Sequence, residues 1–185
     1  KYKNYQANSP DFVNGVRTTR LINAGSVSTQ GFEFELVATP ADNFSVNAGL
    51  AYNKAKVEKF LLPPGANPAD LIPSGTPLAN APKWKFAPGF DWTIETGGFA
   101  NVELHGQLAM QSDQIYELSA NPAVRRGSTV DGYAIVDLSA ALVDQNDGWR
   151  VALQVKNLFD KSFASSIVSG GPGGAFRYII PREAD

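Results

Sequence analysis

The stretch Trp149-Arg-Val-Ala-Leu-Gln-Val-Lys-Asn-Leu-Phe-Asp-Lys161 decides how this chain is read. In an extended backbone successive side chains alternate between the two faces. Trp149, Val151, Leu153 and Val155 therefore point one way, and Arg150, Ala152, Gln154 and Lys156 the other. One such strand is commonplace. Its meaning comes from its repetition along the chain, with connections that are alternately short and long.

Phe32, Phe34 and Leu36 alternate with Glu33 and Glu35, after which Thr39-Pro-Ala-Asp-Asn43 reads as a tight turn. The next strand spans 44–57, with Phe44, Val46, Ala48, Leu50 and Tyr52 on one side and Ser45, Asn47, Gly49, Ala51 and Asn53 on the other. A proline-rich connection then runs to about residue 82, where Pro63, Pro64, Pro68, Pro73 and Pro77 oppose regular pairing. Strand 83–96 carries Trp84, Phe86, Phe90, Trp92 and Ile94 against Lys83, Lys85, Asp91 and Glu95, and Gly97-Gly98 closes a hairpin into strand 99–113. A second long connection covers 114–132, strand 133–143 follows, and Asp144-Gln-Asn-Asp-Gly148 turns into the opening stretch. A third connection, Ser169-Gly-Gly-Pro-Gly-Gly174, precedes an extended 176–180. With Tyr2–Ala7 and Arg17–Ala24 also extended, the reading gives about seven strands and part of an eighth.

Strand length decides the environment. Strands of soluble proteins average about 5–6 residues, whereas these run to about 11–15. Eleven residues at ~3.4 Å each, tilted ~45°, rise roughly 26 Å, which matches the apolar band of a membrane-spanning β-barrel. Phe44, Tyr52, Trp84, Trp92, Phe99 and Trp149 lie near the ends of apolar faces, where interfacial aromatic girdles belong. Pro88 interrupts an apolar face in mid-strand and predicts a bulge.

Composition narrows the alternatives. The chain has 185 residues, 43% hydrophobic and only 18% charged, with a formal net charge of -2. Neither the balance nor any basic block points to nucleic acid. Without cysteine there is no disulfide framework and no thiolate metal site. No run reaches the 18 or so apolar residues of a transmembrane helix. His105, the only histidine, shares a strand face with Glu103, but no third ligand is legible, and a hydrated wall pair is the plainer reading. Glu33 and Glu35 lie on one strand and lack the opposed geometry of a catalytic carboxylate pair. The segment 170–174 lacks the Lys-Ser/Thr of a phosphate loop. No nucleophilic triad is readable, so neither catalysis nor a cofactor is expected.

Several segments resemble one family. Leu21-Ile-Asn-Ala-Gly25 followed by Ser28-Thr-Gln-Gly-Phe-Glu-Phe-Glu-Leu36 resembles a signature of TonB-dependent outer-membrane receptors, and Phe44-Ser-Val-Asn-Ala-Gly-Leu-Ala-Tyr52 is similar to the strand that follows it there. Asn80-Ala-Pro-Lys-Trp84 resembles the family's opening of the next strand. Val155-Lys-Asn-Leu-Phe-Asp-Lys161 resembles its Asn-Leu-Phe-Asp-Lys signature, with Phe163 at the usual tyrosine. The motifs stand in family order between residues 17 and 163.

The resemblance implies an all-β fold: an antiparallel up-and-down transmembrane β-barrel segment, with residues 1–185 as the C-terminal part of a barrel of about 22 strands. An N-terminal plug with its TonB-binding segment would precede Lys1, and a closing strand with a terminal aromatic residue would follow Asp185. It also implies an outer-membrane active-transport receptor that binds a scarce nutrient, such as a siderophore-iron chelate or an oligosaccharide. The implied partners are the TonB complex acting through the plug, outer-membrane lipid and lipopolysaccharide, and the small-molecule nutrient. Similar acidic residues face the lumen in that family, which makes Glu33 and Glu35 wall or plug-contacting groups. In the connection 114–132, Tyr116, Arg125 and Arg126 are the candidate ligand contacts, by stacking and by positive charge. Pairing of the two arginines with lipopolysaccharide phosphates, or simple hydration, competes with that role. The competing architectures are a passive porin, a small eight-stranded barrel closed on itself, and a soluble sandwich whose apolar faces pack together.

Overall fold

The structure, a computed structural model, describes residues 1–13, 16–23, 25–62, 65, 67–146, 148–169 and 176–179. The strands are β1 (Tyr2–Lys3), β2 (Gln6–Val13), β3 (Val16–Asn23), β4 (Gly25–Ala41), β5 (Phe44–Phe60), β6 (Trp84–Ile94), β7 (Ala100–Gln111), β8 (Gln114–Ile115), β9 (Thr129–Val130), β10 (Tyr133–Asp144), β11 (Arg150–Val155), β12 (Ser166–Ser169) and β13 (Phe176–Ile179). Among the described residues one α-helix, α1 (Pro122–Gly127), lies between β8 and β9, and a 3-10 turn spans Pro68–Asp70. The expected Gly-rich connection falls on residues 170–174, outside the described residues, as do Pro63, Pro64 and residues 181–185.

Seven strands form one antiparallel meander in the order β1-β4-β5-β6-β7-β10-β11. The remaining strands pair as two-stranded hairpins, β2-β3, β8-β9 and β12-β13. Two of these prolong hairpins of the main sheet. Gln111↔Tyr133 is followed by Gln114↔Val130 in unchanged register, and Lys3↔Ser26 is followed by Gln6↔Asn23.

The register aligns one face across the whole sheet. Phe34 pairs with Leu50, Leu50 with Phe86, Phe86 with Met110, Met110 with Ala134, and further along Ala140 with both Leu104 and Leu153. Directly paired residues point to the same side of a sheet, so every apolar stripe read from the sequence merges into one continuous surface. No second sheet covers that surface among the described residues: Phe34 is 55% exposed and Leu153 70%. A sandwich with a dry centre is thereby contradicted. Among the described residues the sheet is also open, with β1 and β11 as its edges, and does not close on itself as an eight-stranded barrel.

The aromatic girdles assemble as expected, in two groups. Phe32, Tyr52 and Trp84 cluster at one end of the apolar face, with Tyr52 and Trp84 ring centroids 4.6 Å apart. Phe44, Phe90 and Trp92 cluster at the other, and Phe99 meets Trp149 at 6.1 Å.

The connections segregate by length. Asp42–Asn43, residues 95–99 and the connection from Asp144 to Arg150 are short and lie at the same end as the second aromatic group. Gly97, at φ 67, supplies the left-handed residue that a Cβ would disfavour, while Thr96 Oγ1 donates to Ala100 O. Asp144 Oδ2 accepts from the backbone N–H groups of Asn146 and Gly148, holding the last turn.

Two sequence expectations are corrected. β4 continues to Ala41, so the turn after it is only two residues, and a register shift between Ala38 and Ala41 absorbs Pro40. Pro88 causes no bulge. Ser112 N donates to Trp84 O, so even-numbered residues of β6 direct their backbone groups at β7. The donor missing at Pro88 therefore faces β7, where the ladder lapses between Phe86↔Met110 and Gly89↔Gln107 and resumes in the same register. The pair Ala48↔Pro88 on the β5 side needs no donor and persists. The long connection expected at 114–132 is present and contains β8, α1 and β9.

Candidate functional site

Long connections gather at the end opposite the short turns and build a folded mouth above the sheet. The proline-rich segment after β5 turns back along that strand. Gly75 N donates to Val57 O, Val57 N to Thr76 O and Leu78 N to Ala55 O, and Lys56 and Pro77 form a bridge. Prolines exclude a full ladder here but permit this short docking. Val57, 2% exposed, pairs with the buried Val27, and Ile72 and Thr76 are buried nearby in sequence to the docked segment. Asn80 N then donates to Ile115 O at 2.9 Å, tying this connection to the one carrying β8, α1 and β9.

The three candidates from the sequence occupy that second connection but do not converge. Asn121 caps α1 by accepting from Ala123 N. Arg125 turns back on its own loop, its Nη1 donating to Ser119 O and to Ala120 O, the latter at 2.9 Å, so its guanidinium holds the loop together. Tyr116 OH accepts from Gln114 Nε2, and its backbone N–H donates to Ser128 O. Arg126 is exposed, and its side chain makes no hydrogen bond or ion pair among the described residues, although its carbonyl accepts from Ser128 N.

The Asn157–Lys161 motif has a structural job. Asn157 adopts φ 51, its N–H donates to Asp137 Oδ1 at 2.8 Å, and its side chain accepts from Lys161 N and donates to Lys161 O. This knot ends β11 and brings Phe163 onto Tyr133, the two rings stacked with centroids 4.1 Å apart.

On the face opposite the apolar one, the register creates a hollow that the sequence did not reveal. One row across five strands reads Glu33, Ala51, Lys85, Gln111, Tyr133; the next begins Glu35, Gly49, Ala87. Small side chains at Gly49, Ala51, Ala87 and Ala109 leave an open floor of ≈ 360 Å³, walled by Glu33 and Glu35 on one side and by Lys85, Gln111 and Tyr133 on the other. A Cβ built on Gly49 would meet nothing within 4 Å, so the space is free. Lys85 and Glu33 are separated by the β5 strand, about 10 Å at two strand spacings, and form no ion pair. The hollow therefore offers carboxylates, an ammonium, an amide and a phenol around an apolar floor.

Nearer the short turns the same face carries a histidine–carboxylate contact and an ion pair. His105 Nδ1 lies 2.8 Å from Asp91 Oδ1, and Arg150 Nη2 lies 3.1 Å from Glu103 Oε2. Glu103 and His105 thus answer to different partners. No group of three or more potential metal ligands occurs among the described residues.

Residues 1–158 match the protein family described as TonB dependent receptor-like, beta-barrel. Among solved structures, the ferric yersiniabactin uptake receptor of Yersinia pestis aligns with a TM-score of 0.64 at 16% identity, covering 82% of this chain and 21% of that one. The ferric preacinetobactin receptor of Acinetobacter baumannii aligns with a TM-score of 0.57 at 18% identity, covering 95% of this chain and 24% of that one. At such identities the likeness concerns the fold, and the chain spans about a quarter or less of either protein's length. No curated protein matches the sequence.

Proposed function

We infer, since this chain belongs to the TonB-dependent receptor-like β-barrel family, that residues 1–185 are the C-terminal part of the barrel of an outer-membrane receptor. The complete protein binds a scarce nutrient chelate at the cell surface and imports it with energy delivered by the TonB complex to a plug domain preceding this segment. The observation that carries this reading is the division of the sheet into one uncovered apolar face and one polar face. The first suits acyl chains and the second an enclosed, hydrated interior. No catalytic step belongs to the role; the family and its solved relatives are transport receptors.

A ferric siderophore is the substrate class we favour, because both aligned structures are described as ferric chelate receptors. Ligand-facing groups on this wall are Tyr116 and Arg126 at the mouth and Lys85, Gln111 and Tyr133 in the hollow beneath. Arg125 supports the loop from behind.

The test is uptake of iron-labelled chelates by cells carrying the complete protein, with and without a functional TonB system. Saturable uptake abolished by loss of TonB supports the reading. Uptake that is unsaturable and indifferent to TonB would identify a passive pore instead.

A further inference from the structure

Above the Phe32–Tyr52–Trp84 group, the outward side of β5 changes from aromatic to basic. Lys54 pairs with Gln30 and Lys56 with Ser28, two and four residues beyond Tyr52 on the same face. Lys59 pairs with Ser26, and Lys3 of β1 pairs with Ser26 from the other side. A register shift between Ser26 and Val27, with Glu58 as the additional residue of β5, keeps Lys59 on the face of Lys54 and Lys56.

The only acid in this ladder is Glu58, and it is already engaged. Ser28 Oγ donates to Glu58 Oε1 at 2.6 Å and Lys56 Nζ lies 3.2 Å from the same oxygen. The hydroxyl first, then the lysine, hold the Glu58 carboxyl below the ordinary carboxylate range. Lys3, Lys54 and Lys59 form no ion pair among the described residues. Across β7 and β10 the positions in register at this height are Ser112, Gln114, Val130 and Gly132, none of them charged. On the outward side of β5 and the strands across from it, the described lysines thus gather at one corner.

Height identifies what this corner meets. With ~3.4 Å per residue and strands tilted ~40°, Lys54 and Lys56 stand about 5 Å and about 10 Å above the aromatic level. Aromatic belts mark the boundary between acyl chains and headgroups at both interfaces. In outer-membrane barrels the long connections, which lie at this end, are extracellular, so these ammonium groups stand at the depth of outer-leaflet phosphates. We propose that Lys3, Lys54, Lys56 and Lys59 form a docking ladder for the phosphates of a phosphorylated glycolipid of the outer leaflet, whose acyl chains lie along the Phe32–Tyr52–Trp84 group. Several lysines spaced along one strand suit a headgroup carrying more than one phosphate, since each acts as a point charge near its own anion.

This rests on the outer-membrane reading, which fails separately if the unmodified complete protein does not insert into bilayers. The experiment uses the complete receptor in non-ionic detergent, titrated with lipid A bearing two, one or no phosphates and read by native mass spectrometry. Heat-modifiable gel mobility verifies folding of each variant. Two-phosphate lipid A should bind at least tenfold more weakly to the K54Q/K56Q/K59Q variant, and K54R/K56R/K59R should retain binding. Lys156→Gln, on the opposite face, should change nothing. Should the triple glutamine variant misfold, the exposed single changes K54Q and K59Q are each expected to weaken binding by a few-fold. Equal binding by the glutamine variants, equal binding of phosphate-free lipid A, or displacement of lipid A by inorganic phosphate at millimolar concentration would each overturn the proposal.

Discussion

The two faces of the main sheet are built to opposite rules. On the apolar face, large side chains touch across strands yet stay uncovered: Trp92 is 42% exposed and Leu142 43%. On the polar face, groups meet in specific pairs, Asp91 with His105, Glu103 with Arg150 and Asp137 with Asn157. On the proposed function, stability from the first face depends on a solvent as apolar as itself, whereas the second depends on local geometry and tolerates water. The difference teaches that a single substitution should have consequences fixed more by the face it occupies than by the chemistry introduced.

The sharpest way to break that contrast is to place one charge on each face. Leu138 lies midway along the apolar stretch of β10, opposite Gly106 and Val155. Leu138→Arg should cost about 2–4 kcal/mol in bilayer-based urea unfolding of the complete protein. Gln107→Arg, opposite Gly89 and Asp137 on the polar face, should cost well under ~1 kcal/mol by the same measurement. Equal losses would erase the distinction between the faces.

Next in size is a backbone effect on the polar face. A Cβ at Gly31 would lie 1.9 Å from the Tyr52 carbonyl oxygen, which demands a strand shift. Gly31→Val should therefore cost about 1–3 kcal/mol, seen as faster amide exchange along β4 and β5. Protection matching the parent would show that the close approach is not maintained.

Asn157→Ala tests the knot that fastens the last connection to the polar face. It removes both bonds to Lys161 while keeping a left-handed backbone at φ 51. The expected loss is about 1–2 kcal/mol, confined to residues 157–163 in hydrogen exchange and accompanied by loosening of the Tyr133–Phe163 stack. The smallest effect belongs to Glu103→Gln. The Arg150 and Glu103 side chains are 56% and 40% exposed, so loss of their ion pair should cost at most about 1 kcal/mol. A larger value would reveal stronger coupling across the polar face than an exposed pair provides.

Much of this was legible in the sequence because facing is a local property. Alternation of Phe44, Val46, Ala48, Leu50 and Tyr52 with polar neighbours assigns sides without knowledge of any partner strand. Aromatic positions at the strand ends were readable for the same reason. Register is not local. The row from Glu33 through Ala51 and Lys85 to Tyr133 joins residues far apart in the chain, so the hollow it borders left no sequence signature. Pro88 illustrates the limit differently: whether a missing donor distorts a strand depends on which neighbour it faces, and only pairing settles that. Tyr116, Arg125 and Arg126 were found by residue type, which could not foresee that Arg125 would be consumed by the carbonyls of Ser119 and Ala120.

The central claim, that one face meets lipid and the other an aqueous interior, is tested most directly on β10. The chain contains no cysteine, so single cysteines at each position from 134 to 142 of the complete protein can carry a spin label in bilayers. Collision with oxygen should be high at Ala134, Val136, Leu138, Ala140 and Leu142, and collision with a water-soluble nickel chelate low there, with the pattern inverted at Ile135, Asp137, Ser139 and Ala141. Loss of the two-residue period, or oxygen access highest at the odd positions, would contradict the account.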